Sequence, residues 1–276
     1  MRLTWVHPSW RDLVIEHVAE SPQLRRAFIT RAELPGILLT LSTEGGPAGS
    51  RRLPLLATDT DWDALGDATH RLCLVLAEPD LAKLMDALDH AHLADLDEYH
   101  ASEMQGVCEV VVGTVHRRFA HDPTVLSART LTAWYALVDR RERPPPSIAE
   151  LADAYRARRP PQRFDWRDQT CLRVADNWLA IAGTLQVRDP AGLKALGFFE
   201  DVESLRATIG QPSEFALARW PLLASIVNRL ADLGLASRPL TSDDTPAVPS
   251  VWDLIADPLG TEQLEASRIN RILADL

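Results

Sequence analysis

Lysine is almost missing from this chain: Lys83 and Lys194 are the only two in 276 residues. Neither follows a glycine-rich turn, and no G-x-x-x-x-G-K-[ST] run occurs, so the backbone cradle and lysine that hold nucleotide phosphates in a P-loop are absent. Cysteine is equally scarce. Cys73, Cys108 and Cys171 are odd in number, far apart and set in apolar helical patterns, which reads as small buried hydrophobes in a reducing compartment. No G-x-S-x-G elbow exists, and no cysteine has a positioned basic neighbour, so no catalytic nucleophile is recognisable and no enzyme is expected. No apolar run approaches the ~20 residues of a membrane span. No long apolar stretch follows Met1-Arg2 either, which leads to the expectation of a cytoplasmic protein. A basic excess is missing too. The net charge of −10 argues against unaided binding to nucleic acid, whose phosphates demand a basic face.

What is present is helical periodicity. Residues 22–33 and 35–42 read as short helices, the second opening at Pro35. Trp62, Leu65, Leu72 and Leu76 keep one face, as do Leu81, Leu84, Leu88 and Ala91, then Met104, Val107, Val111 and Val115. Leu131, Trp134, Tyr135 and Val138 mark a further helix, stopped by Pro144-Pro145-Pro146, and Ser147 with Glu150 forms a capping box for the next. Cys171, Val174, Trp178, Ile181 and Leu185 share the strongest helical face, and a long helix over 213–234 contains Pro221 as a kink. Strand signals are confined to residues 3–7 and, interrupted by Pro54, 52–57. No fixed repeat period is visible. The expected fold is all-α, an irregular antiparallel helical-hairpin array with a small winged-helix-like remnant at the N-terminus. The expected divisions are 1–48 for the remnant, 49–235 for the array, 236–250 for an exposed linker and 251–276 for C-terminal helices. The first of these boundaries rests on Gly45, Gly46, Pro47 and Gly49.

The segment from Trp5 to Leu13 reads as a strand-to-helix turn. An apolar alternation ends at His7, and Ser9 is placed to cap the following helix, with the Asp12 side chain reaching back to the cap. Trp5, His7, Ser9, Trp10, Asp12 and Leu13 together resemble the end of the winged-helix domain in STAND-type NTPases, the NACHT and NB-ARC-like switch proteins, especially bacterial members. The resemblance implies that His7 senses the β-phosphate of ADP held by a P-loop core, which would precede Met1 or belong to a separate chain. This chain alone would then bind no cofactor; ATP or ADP would reach it only through that partner. It further implies a role in signal transduction, with antiphage defence as one setting. Beyond residue 50 the likeness is general.

Arg140, Arg141 and Arg143 form one arginine cluster and Arg156, Arg158, Arg159 and Arg163 another, flanking the same helical segment. They are a candidate patch for an acidic partner; cations favoured at helix C-termini are the simpler explanation. Asp86, Asp89, His90 and His92 invite a metal reading, but His90 and His92 lie about 200° apart around a helix and cannot share one ion. No metal is expected. Asp86 and His90 can pair along one face, and His92 falls near the apolar stripe. Two functions follow: a non-catalytic regulatory and sensor region of a STAND-type NTPase, or a free-standing helical scaffold that binds protein without reference to nucleotides.

Overall fold

The structure is a computed structural model, and it describes residues 8–45, 51–140, 148–159, 168–209, 216–236 and 238–239. Residues 3–7, the linker 236–250 for the most part, and the helices expected over 251–276 lie outside that range. The described chain is mainly helical, as the periodicity predicts. It opens with α1 (Pro8–Glu20), α2 (Pro22–Arg31) and α3 (Leu34–Thr40), followed by the two-residue strands β1 (Glu44–Gly45) and β2 (Arg51–Arg52). Proline at the start of a helix forfeits only an N–H that lacks an intrahelical partner anyway, which suits Pro8, Pro22 and Pro35. α1 begins at Pro8, so Ser9 lies inside the first turn rather than at the cap expected for it. The strands pair antiparallel, Glu44 opposite Arg52 and Gly45 opposite Arg51. The strand expected over 52–57 shrinks to this ladder because Leu53, Leu55 and Leu56 turn inward and are buried.

Next come α4 (Asp59–Val75), α5 (Asp80–His92), α6 (Glu98–His121) and α7 (Ala128–Val138). Their starts are written locally: Asp97 accepts the His100 N–H at 2.9 Å and Ser127 the Thr130 N–H at 3.1 Å. A 3-10 turn at Ile148–Leu151 leads into α8 (Ala152–Arg158), where a capped helix start was expected; Ser147 is outside the described residues. Then follow α9 (Gln169–Arg188), α10 (Pro190–Ala195), α11 (Phe198–Ile209) and α12 (Ala216–Asp232), which contains Pro221.

The helices form two rows. α2, α4, α6 and α8 pack successively in one, and α3, α5, α7, α9 and α12 in the other. Helices that neighbour each other within a row run parallel: Tyr99 meets Asp59 at the heads of α6 and α4, and Arg118 meets Cys73 near their tails. Such an array requires interior helices to bury more than one stripe. α6 does so with Met104, Val107, Cys108, Val111, Val112, Val115 and Phe119. One buried cluster extends from Ile29 to Leu233, and Ile29, Leu34, Ile37 and Leu41 share it with Leu53, Leu56 and Trp62 across the glycine-rich segment. Trp134 and Trp178 are fully buried within it. A smaller cluster of Ile15, Leu39 and Leu55 seats α1.

Candidate functional site

Trp5 and His7 lie outside the described residues, and Ser9, Trp10 and Asp12 are placed only as members of α1. How α1 is joined to the array is described, and it depends on a residue that sequence reading passed over. Arg25 on α2 donates from Nη1 to the Ala19 carbonyl at 2.5 Å and from Nε to Asp61 Oδ2 at 3.0 Å. The same Asp61 oxygen accepts the Thr58 hydroxyl at 2.8 Å and the Thr58 and Ala57 N–H groups at 3.1 and 3.2 Å. Asp61 is fully buried and its other oxygen, Oδ1, has no hydrogen-bond partner. A charged pair out of water survives only with such added hydrogen bonds. One carboxylate oxygen therefore ties the head of α4 to α2 and, through Arg25, to the end of α1.

The arginine clusters are partly described. Arg140 pairs with Asp89 at 3.1 Å, Arg156 with Asp153 at 3.2 Å and Arg159 with Asp201 at 3.2 Å. Arg158 donates to the Pro123 and Thr124 carbonyls, closing the 3-10 turn at Pro123–Val125. Arg141, Arg143 and Arg163 lie outside the described residues. Arg140, Arg158 and Arg159 thus hold their own elements to neighbours through distant partners, a use the sequence does not reveal, while Arg156 pairs within α8.

In the histidine stretch, His90 Nδ1 contacts the Asp86 carbonyl at 2.6 Å, so the pairing expected with the Asp86 carboxylate is made to backbone instead. His92 is half-buried with Nδ1 lacking a partner, and burial, reinforced by Arg140 and opposed by Asp89, holds its pKa below the usual imidazole value. Among the described residues no three His, Cys, Asp or Glu side chains are grouped to hold a metal ion. Cys73 and Cys108 are buried and their thiols are pushed up to about 12 by burial. Cys171 departs from the expectation: it is only half-buried, its thiol 3.5 Å from Asp168. His70 Nδ1 lies 2.9 Å from the Thr114 hydroxyl, and Thr114 is 2% exposed.

Three open clefts lie among the described residues. The first, about 630 Å³, lies between α3, the ladder and α5, lined by Leu38, Leu41, Arg51, His90, Leu93 and Asp95. The second, about 490 Å³, lies near the tails of α4 and α6 and contains His70, Thr114, Arg117, Arg118 and His121. The third, about 350 Å³, opens between α9 and α12 beside Gln169, Arg173, Asp176, Arg219 and Ser225. Among the described residues no helix is long and apolar enough to cross a membrane. No protein-family model, curated protein or solved structure matches the chain.

Proposed function

We propose that this chain is a non-catalytic helical array that acts by docking on a partner protein, and that the partner is the P-loop core of a STAND-type signalling switch working in the cytoplasm. The observation that carries this reading is the rigid joint at the N-terminal end. A partner seated against the residues before Pro8 loads α1, whose Ala19 carbonyl is held by Arg25. Arg25 passes that load to Asp61 at the head of α4, and α4 begins the packed row that continues through α6. A flexible junction would dissipate such a signal; a buried, multiply bonded ion pair transmits it. His7 offers an imidazole to a phosphate that the partner holds, and the array senses the trigger, an invading phage component being one candidate.

Three of the described histidines have ring nitrogens engaged structurally, which supports a non-catalytic role for them: His70 with Thr114, His90 with Asp86, His100 with Asp97 and the Leu56 carbonyl. The test is co-purification of the full chain from its native host. Recovery of a protein with a Walker lysine, retained better with ADP and lost with His7→Ala, is the expected result. Partners without a P-loop that ignore His7→Ala would overturn the switch and leave the free-standing protein-binding scaffold in its place.

A further inference from the structure

An arginine nitrogen without a partner marks the cleft between α9 and α12. Nη1 of Arg219 is buried from water and has no hydrogen-bond partner. A guanidinium N–H left in that state carries a desolvation cost that an acceptor in the adjoining cleft would offset. Arg173, one turn into α9, lines the same cleft, is exposed, and is joined to no carboxylate among the described residues. The acid in the cleft is already neutralised: Asp176 Oδ1 accepts from Ser225 at 2.6 Å and from Arg229 Nε at 2.9 Å. Asp168, at the head of α9, spends its carboxylate on the Thr170 N–H at 2.8 Å and the Cys171 thiol. Among the described residues, two cations are therefore left over in this cleft, on a protein whose net charge is −10.

Helix direction adds to this. Asp176 meets Ser225 and Arg229, while Gln169 and Arg173 share the cleft with Arg219 and Leu222, so α9 and α12 run alongside each other with their heads at this cleft. Helix heads carry the positive end of the dipole. The basic cleft at the tails of α4 and α6 is the contrasting case. There the helices present carbonyl ends, Arg118 is spent on the Cys73 carbonyl at 2.6 Å and on Asp122 at 3.4 Å, and Arg117 donates to the Gly113 carbonyl at 3.2 Å.

We propose that the α9–α12 cleft binds the phosphate group of a small phosphorylated ligand, gripped by Arg173 and Arg219. Two guanidinium forks offer more donors than the two oxygens of one carboxylate can accept, and they match the terminal oxygens of a phosphate. The Gln169 amide adds a further donor at the rim, and Pro221 and Leu222 supply apolar contact for the carbon skeleton. The site is independent of the docking end that carries His7.

The experiment is calorimetric titration of the full chain at low ionic strength with inorganic phosphate, glycerol 3-phosphate, glycerol and acetate. Saturable binding of both phosphates is expected, weakened about tenfold by Arg173→Gln and again by Arg219→Gln, and unchanged by Arg117→Gln. Arg173 is exposed, so its variant carries the test even if Arg219→Gln folds poorly. Arg219→Leu is expected to melt no lower than the parent without phosphate and to lose the rise in Tm that phosphate confers. Absence of saturable phosphate binding, binding by both arginine variants as tight as the parent's, or acetate binding as tightly as phosphate would each overturn the assignment.

Discussion

Arg25 and Asp61 meet at 3.0 Å with their side chains 6% and 0% exposed, and this contact joins the first two helices to the rest of the array. The pair lies 36 positions apart in sequence, so it forms only when α2 and α4 are packed.

Removing one member strands a buried charge, and Arg25→Met or Asp61→Leu alone is expected to cost about 3–5 kcal/mol. The double replacement should cost much less than the sum, since it leaves no charge behind. Urea unfolding of the four proteins measures the coupling. A loss under about 1 kcal/mol in both single variants would show that the pair is no mechanical joint.

Trp178 is fully buried and stacks on Tyr155 at 5.6 Å and on Phe198 at 5.0 Å. Trp178→Ala should destabilise by about 3–5 kcal/mol. Trp178→Phe keeps the stack and discards an indole N–H that is buried without an acceptor, so it should cost less than about 1.5 kcal/mol. Equal losses in the two variants would show that a retained aromatic ring recovers nothing, against a stabilising role for the stack.

Alkaline solution should weaken the fold. Cys73 and Cys108 are raised from an ordinary value of 9.0 to about 12, and burial raises the Tyr155 phenol as well. For an acid whose folded pKa is raised, stability is complete below the unfolded value and is lost as pH climbs toward the folded one. Urea midpoints should therefore fall from about pH 9 upward. In native protein a thiol reagent should modify Cys171 first and Cys73 and Cys108 only on unfolding. Uniform reaction of the three would contradict the burial.

Mild acid should act through His92, whose folded pKa lies below the ordinary 6.5. A base depressed in this way favours the fold while neutral, so its contribution is present above about 6.5 and declines as pH drops. His92→Gln should flatten that part of the stability profile, and an unchanged slope would assign it to other groups.

The helices were readable in advance because their signals are short-range. A capping side chain acts within one turn, as Asp97 and Ser127 do, and an apolar stripe such as that of α9 repeats within the helix itself. α10 and α11 escaped notice although Asp189 caps α10 through the Gly192 N–H at 2.9 Å. α10 has 6 residues, too few to display a period, and Gly197 breaks the pattern before α11. The candidate sites were harder. Arg25 sits beside Arg26 in the sequence, and nothing local distinguishes the buried one from its neighbour. Arg219 gives no local sign of the cleft it enters.

Residue order alone thus settles most of the stretches that coil, the longer ones with a full apolar stripe, since these depend on contacts a few positions apart. It also settles the acidic balance of the chain and the lack of a phosphate-binding lysine loop. Folding in three dimensions settles which cations are spent and which are left over. Arg118 and Arg158 close carbonyl ends, Arg140 and Arg159 find distant carboxylates, and Arg219 is left with a buried nitrogen unmatched. The reason is reach: a guanidinium's partner is chosen by the packing of two rows of helices, and sequence distance carries no trace of that choice.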